Sequence, residues 1–468
     1  MCVDLDGTLV KSDTLHDSLL ALMRNHPLQL LGLPGRVLRG KAAFKSFIAT
    51  QVILDVAHLP YNQELLEFLC QEHGRGRDLY LATGADESLA RRVAEHLGIF
   101  RGFLGSNGVT NLTGGNKLDA LRQRFAPAGF DYIGNDLPDL PLLAAAGEPM
   151  VANPTLRLRA RLSGRGIRPA RQFLDRKSTL PSLFNAVRIH QWAKNLLIFI
   201  PLLCSHALSV TKLLAAAAAF FCFSLTASGA YLVNDLLDME ADRRHPHKRM
   251  RPFASGDLSA ASGILMVGVF LAAGLLGARL FLPAQFLLFL LLYLGTTLAY
   301  SVYLKRIPLV DVLVLSGLYI LRILSGSAAT DTPISHWLAG FSMFLFLSLA
   351  IVKRFAELEN LRIRNATPMN GRGYVLSDLE QLRSFGTSSA YAAVVVFAIY
   401  ISGSDVAKLY HHPRFLWGTV PLIILWLNRV WLLASRGELN EDPVAFALTD
   451  PMSLIMGVAV VAVALLAV

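Results

Sequence analysis

The sequence predicts two domains of different solvent character. An N-terminal α/β domain with a small helical cap is followed by an all-α multi-pass membrane domain of about nine transmembrane helices. Three observations lead there. At 468 residues the chain is too long for one ordinary compact domain. It is 53% hydrophobic and only 17% charged, with a mean hydropathy of +0.46, whereas a soluble domain carries roughly 25% charged residues. Finally, the composition changes near residue 180: residues 1–154 hold no apolar run of the ~20 residues that span a bilayer, and the remainder holds many. Disorder, a secreted disulfide scaffold and an ordinary cytosolic enzyme are excluded. The net charge of +10 suits nucleic acid or anionic membrane lipids; hydropathy decides for the membrane, and no nucleic-acid partner is expected. Cys2, Cys70, Cys204 and Cys222 form no CxxC pair or metal spacing, so neither disulfides nor zinc are implied.

Residues 1–154 read as strands alternating with helices, which predicts a sheet with helical crossovers. Strand-like stretches are 1–10, 78–83 and 130–134, and residues 15–75 read as the helical cap. The apolar run 28–33 with Arg36 and Arg39 nearby is open to two readings, contact with the membrane or ordinary cap packing, of which the second is preferred. The chain starts almost on its first strand, leaving no room for a signal peptide, so this domain is expected in the cytoplasm. Residues 155–181 are expected as a polybasic linker: Arg157, Arg159, Arg161, Arg165, Arg168, Arg171, Arg176 and Lys177 stand against the single acid Asp175. Beside a membrane span such a segment rests on anionic headgroups. No aromatic residues interleave the arginines for base stacking.

The membrane domain is expected over 182–468. Nine candidate spans lie near 188–208, 212–236, 258–278, 281–301, 308–328, 336–352, 384–403, 414–434 and 450–468. The loop after the second holds Arg243, Arg244, Lys248, Arg249 and Arg251; after the fourth come Lys305 and Arg306; after the sixth, Lys353, Arg354, Arg362, Arg364 and Arg372. The opposite loops carry few charges, although Lys408 and Arg414 break the pattern. The positive-inside rule then puts the N-terminus in the cytoplasm and, with nine spans, the C-terminus outside. The expected location is the cell (inner or plasma) membrane.

Polar clusters gather on the cytoplasmic side of this topology. The second span runs into Asn234, Asp235, Asp238 and Asp242, the aspartates at i, i+3 and i+7 and so on one helical face. Massed carboxylates repel unless a cation holds them, and hard oxygen ligands suit Mg²⁺, which commonly bridges carboxylates to a diphosphate. Arg249 and Arg251 follow, suited to phosphate oxygens. Lys194 opens the first span, Tyr300, Lys305 and Arg306 close the fourth with Asp311 soon after, Lys353, Arg354 and Glu357 close the sixth, and Glu441 and Asp442 precede the last. Together they suggest a site for one lipid and one water-soluble, phosphorylated substrate.

The pattern NDxxDxxxD at Asn234, Asp235, Asp238 and Asp242 resembles the first aspartate-rich motif of the UbiA superfamily of intramembrane prenyltransferases, over residues 182–468. Most members carry a second aspartate-rich motif. Here the corresponding segment, Tyr300 to Asp311, has Lys305 and Arg306 in place of the usual first aspartates. With Lys353, Arg354 and Glu357, that departure resembles the decaprenyl-phosphate phosphoribosyltransferase branch. The resemblance implies transfer from phosphoribosyl pyrophosphate to a polyprenyl phosphate, in cell-wall biosynthesis, with Mg²⁺ on the four motif residues. Asp235 and Asp238 are then catalytic; Asn234, Arg249, Arg251, Tyr300 and the cations Lys194, Lys305, Arg306, Lys353 and Arg354 are substrate-binding. Which cation serves which phosphate is left open. A homo-oligomer is compatible with the sequence.

At the N-terminus, Asp4 and Asp6 alternate along a strand end and point to the same side, followed by Gly7 and Thr8. Thr83 and Gly84, then Lys117, then Gly134, Asn135, Asp136 and Asp139 follow, each at a strand end or loop. Four elements in this order resemble the haloacid dehalogenase superfamily of phosphohydrolases, over residues 1 to about 152, with a Rossmann-like fold. The resemblance implies Asp4 as nucleophile, Asp6 as general acid and base, and Thr83 and Lys117 as phosphoryl-orienting groups. It implies Mg²⁺ on Asp4, Asp6, Asp139 and Asn135 or Asp136. Asn135 departs from the acid common at its position; either metal binding is weakened, or Asp136 or the Asn135 amide oxygen substitutes.

The sequence therefore reads as a bifunctional enzyme, a transferase whose product carries the phosphomonoester that the hydrolase removes. Its rivals are a prenyltransferase acting on an aromatic acceptor in quinone or haem synthesis, opposed by Lys305 and Arg306, and a transporter with a regulatory phosphatase domain. Transporters place polar residues near the bilayer midplane, whereas here they collect at one face.

Overall fold

A computed structural model describes residues 1–33, 40–206, 208–363, 372–403, 406, 409–439 and 442–468. They divide into two compact units, Met1–Val187 with Tyr231–Val267, and Arg188–Ala230 with Gly268–Val468. Arg36, Arg39, Arg364, Lys408 and Glu441 lie outside the described residues.

The first unit is built on six strands: β1 (Cys2–Val3), β2 (Tyr80–Asp86), β3 (Gly102–Ser106), β4 (Tyr132–Gly134), β5 (Pro149–Ala152) and β6 (Arg171–Phe173). All pair in parallel, in the order β3-β2-β1-β4-β5-β6, with Val3 opposite both Leu81 and Ile133. Alternation along each strand sends Val3, Leu81, Ile133 and Met150 to one helical layer with Leu22, Leu65, Leu69 and Val93. Cys2, Ala82, Tyr132 and Val151 face the other, with Leu121, Leu142 and Leu158. Both faces are covered, as a parallel sheet requires. Strand order reverses between β1 and β4, and in such sheets ligands bind beyond the carboxyl ends of the strands at that reversal. Asp4 follows β1 and Asn135 follows β4.

The α/β architecture is as expected, but three local expectations are corrected. The strand expected over 1–10 stops at Val3, because Gly7 takes φ +72° and Thr8 N–H closes a turn on the Leu5 carbonyl. Not all of 15–75 is cap: helix Gln63–Gly74 buries Leu65, Phe68 and Leu69 in the sheet core and is a crossover helix. Residues 155–181 are folded, since Leu158 and Leu162 bury one face of helix Leu156–Gly164, and Phe173 buries in β6 at the sheet edge. Their i, i+4 apolar spacing is hidden among exposed arginines.

Among the described residues, seven helices are long and apolar enough to cross a membrane: Val210–Leu237, Ala260–Phe281, Ala284–Val302, Val310–Thr330, His336–Ile363, Leu376–Ile401 and Pro413–Ser435. An eighth crossing is reached if Pro443–Thr449 and Pro451–Ala467, bent by 80°, count as one. The stretch expected as a first span at 188–208 is not one continuous α-helix among the described residues. Arg188 is left-handed (φ 56°), a 3₁₀ helix runs over Ile189–Phe199, and only Ile200–Cys204 is α-helical. A 3₁₀ helix aligns residues i and i+3. Trp192 Nε1 and Asn195 Nδ2 can thus both donate, at 2.9 Å, to Ser228 and Ser224, one turn apart on helix Val210–Leu237. The polar register outweighs α-helical continuity.

The 3₁₀ segment also packs closely on helix Val310–Thr330. A Cβ at Gly326 would fall 2.0 Å from the Ile198 carbonyl oxygen. Gly326→Ala is therefore expected to cost about 1–3 kcal/mol, read as a lower melting temperature of the detergent-solubilised protein.

Candidate functional sites

The crevice at the β1/β4 reversal holds a buried polar chain. Asp4 Oδ1 accepts from Lys117 Nζ at 2.8 Å, Lys117 Nζ also donates to the Tyr132 hydroxyl at 3.0 Å, and that hydroxyl donates to Asp139 Oδ1 at 2.8 Å. Asp139 Oδ2 accepts the backbone N–H groups of Asn135 and Asp136, at 3.0 and 3.3 Å. The side chains of Asp4, Lys117 and Asp139 are all buried. Asp139, expected as a metal ligand, thus braces the β4 loop and Lys117. Asp136 accepts instead from Thr155 Oγ1 at 2.9 Å. Asn135 lies over Gly7, where a Cβ would fall 2.0 Å from its Nδ2, so only glycine allows the approach. Thr83, fully buried, accepts the Ala85 N–H at 3.0 Å. Thr8 Oγ1 stands 3.5 Å from Asp4 Oδ2.

Asp6 Oδ1 accepts the Thr14 N–H at 2.8 Å, where helix Thr14–Asn25 begins. Burial pushes Asp4 up to about 6, with Lys117 acting against it, and pushes Asp6 up to about 7, helped by the charges of Asp13 and Asp4. A carboxyl poised near 7 suits proton transfer at neutral pH. Asp4 and Asp6 are hard oxygen donors whose charges burial disfavours, so a divalent cation fits the pair. Among the described residues, no three His, Cys, Asp or Glu side chains are already disposed as a metal cage.

The shift of Asp6 carries a stability consequence. In the unfolded chain it titrates near ~4, so ionising it in the fold costs nothing below about pH 4, progressively more above, and the full penalty beyond about pH 7. Asp6→Asn keeps the oxygen that accepts from Thr14 and removes the penalty. The metal-free variant is expected to melt at a higher temperature than the parent at pH 8, with the gain vanishing near pH 4. Equal melting at pH 8 would contradict this.

The aspartate-rich motif lies at the end of helix Val210–Leu237. The helix turns at Asp238, which opens helix Met239–Arg244. Asp235 and Asp242 stay on one side, as expected: Asp235 Oδ1 and Asp242 Oδ2 converge on Arg251 Nη1, at 3.1 and 2.7 Å. Two buried carboxylates aimed at one cationic point fit a divalent ion, with the guanidinium nitrogen marking the place. Burial raises the Asp242 pKa, with Arg251 opposing. Asp238 turns to Arg24, 2.9 Å away. Asn234 is half-buried and Arg249 exposed.

Two further clusters lie in the second unit. Lys194 and Lys353 both reach Asp442 Oδ2, at 2.9 and 2.7 Å, and Tyr319 OH donates to Asp442 Oδ1 at 3.2 Å. Two ammoniums on one carboxylate leave net positive charge, which suits phosphate. Next to it, buried Arg322 donates through Nε to Asn195 Oδ1 at 2.9 Å and lies over the rings of Phe223, Tyr293 and Tyr319. In the other cluster Arg354 is committed on all sides: Nε to Asp311 at 2.5 Å, Nη1 to Glu357, Nη2 to Tyr300 OH at 2.9 Å. Tyr374 OH and Arg372 complete it, on Asp311 and Glu357. The turn Leu304–Arg306 leaves Lys305 half-buried and Arg306 exposed. The sequence reading missed Tyr132, Asp17, Tyr319, Tyr374 and Arg322. Only Arg322 carried a legible signal, a charge inside an apolar span.

Residues 196–456 match the model of the UbiA prenyltransferase family. The chain is 37% identical over 456 residues to the uncharacterized protein y4nM of Sinorhizobium fredii, covering 97% of this chain and 88% of that one. It is 38% identical over 280 residues to the nodulation protein NoeC of Azorhizobium caulinodans, covering 58% and 88%. Over 282 residues it is 32% identical to a decaprenyl-phosphate phosphoribosyltransferase of Mycobacterium tuberculosis, covering 59% and 91%.

Proposed function

The chain belongs to the UbiA prenyltransferase family, a multi-pass membrane family of transferases, and from that premise we propose that it moves 5-phosphoribose from phosphoribosyl pyrophosphate to a polyprenyl phosphate. The observation that carries this reading is the 32% identity across 91% of a decaprenyl-phosphate phosphoribosyltransferase. The net positive Lys194–Asp442–Lys353 cluster supports it, offering cations to a lipid phosphate or a 5-phosphate. An oxygen of the lipid phosphate bonds to the anomeric carbon as the bond to pyrophosphate breaks, and pyrophosphate leaves with the electron pair. The attacking oxygen is already anionic, so no general base is needed. Mg²⁺ on Asn234, Asp235, Asp238 and Asp242 would offset charge on the leaving group. Arg354, engaged by Asp311, Glu357 and Tyr300, acts in this reading by holding its cluster rigid.

The N-terminal unit then acts as a haloacid dehalogenase-like phosphatase, over about 1–154, that removes the 5-phosphate. Asp4 attacks phosphorus as the bond to the ribose 5-oxygen breaks and Asp6 gives that oxygen its proton; water, losing a proton to Asp6, then releases phosphate from Asp4, while Lys117 offsets charge on the phosphoryl group. The support is the buried Asp4–Lys117 pair at the sheet's switch point with Asp6 beside it. In this reading the unit lies in the cytoplasm and the spans in the cell membrane, which the basic loops support. The exposed arginines at 157–168 would rest on anionic headgroups.

The test is incubation with radiolabelled phosphoribosyl pyrophosphate and polyprenyl phosphate, with and without Mg²⁺. Lipid-extractable label that requires Mg²⁺ is expected. Turnover of a prenyl diphosphate onto an aromatic acceptor, with no labelled lipid, would replace this reading with that of an aromatic prenyltransferase.

A further inference from the structure

The segment that carries the aspartate-rich motif is held by the N-terminal fold at several points, all within the first unit. Arg24, near the end of helix Thr14–Asn25, places Nη1 2.9 Å from Asp238 Oδ1 and 3.1 Å from the carbonyl of Leu237, the last residue of the long helix. Arg243, which directly follows Asp242, is buried. Its Nη1 donates to Asp17 Oδ2 at 2.8 Å, its Nη2 to Ser12 Oγ at 3.1 Å, and its Nε to the Ala254 carbonyl at 3.1 Å. Asp17 is itself buried on the same helix and also accepts from Ser12 Oγ at 2.7 Å. A buried guanidinium on a buried carboxylate is tolerated only in good geometry with its other donors satisfied, so the turn at Asp242 has little freedom. Gly256, at φ +75°, comes close enough to Lys11 that a Cβ would lie 2.7 Å from the Lys11 Cβ. Arg244 adds an exposed contact to Asp55 at 2.8 Å.

The other end of that helix belongs to the phosphatase pocket, where the Thr14 N–H donates to Asp6. Ten residues of helix, ~15 Å, separate Thr14 from Arg24. One rigid element thus touches the proposed proton carrier of one site and an aspartate of the other.

We infer that the N-terminal α/β fold is a positioning element of the aspartate-rich site, in which Arg24 orients Asp238 and the Asp17–Arg243 pair fixes the turn at Asp242. This rests on the reading of that motif as the metal-holding part of the transferase. Groups that orient a metal ligand from behind are typically worth ten- to a hundredfold in metal affinity. Arg24 bonds one oxygen of Asp238 and so sets the direction of its carboxylate. The N-terminal unit would therefore serve transfer even when its own pocket is inactive.

The experiment uses the full chain carrying Asp4→Asn and Asp6→Asn, which removes the N-terminal carboxylate pair as a competing site. Mn²⁺ binding is followed by the free-ion EPR signal, without substrate, for this background and for it with Arg24→Met, Arg24→Lys or Asp55→Asn. Arg24→Met is expected to weaken Mn²⁺ binding about tenfold or more and to raise the Mg²⁺ needed for half-maximal transfer in parallel. Arg24→Lys should recover most of both. Asp55→Asn, which weakens the exposed contacts to Arg244 and His58 and leaves those of Arg24 in place, should leave both unchanged. Mn²⁺ bound equally or more tightly by Arg24→Met would overturn the positioning role. An equal loss in Asp55→Asn would do the same, since it would mark general loosening of the segment. A background protein that binds Mn²⁺ but transfers no label would overturn the transferase reading and leave the positioning role standing. One that binds no Mn²⁺ would overturn both.

Discussion

Asp235→Asn is expected to lower the rate of label transfer to lipid by ~10²–10³-fold, about 3–4 kcal/mol of lost charge stabilisation at the leaving group. The side chain is buried and shares Arg251 with Asp242. Asparagine keeps its volume and an oxygen that can accept from Arg251, so the helix end should survive while the charge that attracts a divalent ion is lost. Asp242→Asn should behave alike, because the two carboxylates converge on one point. The loss should appear in the maximal rate at saturating substrate and ease in part at high Mg²⁺. Parental rates in either variant would move the metal site elsewhere.

The second large effect separates the two proposed activities. Asp4→Asn should stop phosphomonoester cleavage outright, because the amide is a far poorer nucleophile than the carboxylate that Lys117 holds at 2.8 Å. Loss of a nucleophile costs of the order of 10⁶-fold in a comparable covalent mechanism. Transfer should continue, since the aspartate-rich motif and the Lys194–Asp442–Lys353 cluster use none of these atoms. The variant should accumulate polyprenyl-phosphoryl ribose that keeps its 5-phosphate, whereas the parent yields the dephosphorylated lipid. Mass spectrometry of extracted lipid separates the products by one phosphate. If both proteins give the same phosphorylated lipid, the N-terminal unit acts on another substrate or on none.

Some of the site was legible before any fold was known. Asp235 and Asp242 share a side of the chain because seven residues are nearly two helical turns, and i, i+7 spacing is enough to see that. Asp4 and Lys117 meet, as expected, although 113 residues separate them. Tyr132 could not be picked out. It looks like any aromatic residue of a buried strand, and its role comes from a hydroxyl that happens to lie between Lys117 and Asp139. Arg354 was legible as a cation at a span end but not as one whose donors are all engaged, because Asp311, Tyr300 and Glu357 converge on it from three places in the chain.

Hydrophobic patterning alone determined the division into an α/β part and a helical membrane part, since burial of apolar surface follows composition and period, which are local properties. Spacing determined the two groups of acids for the same reason. Tertiary structure decided what those groups are bonded to. It made the stretch expected as the first span a 3₁₀ segment and not a continuous α-helix, with Trp192 and Asn195 bonded to Ser228 and Ser224. It also brought Tyr231–Val267 into the N-terminal unit. Arg243 reads along the chain as one more positive-inside charge, and only packing turns it into a buried partner for Asp17, 226 residues away. Charge pairing at that separation depends on where the folded backbone delivers each side chain, and no local period encodes it.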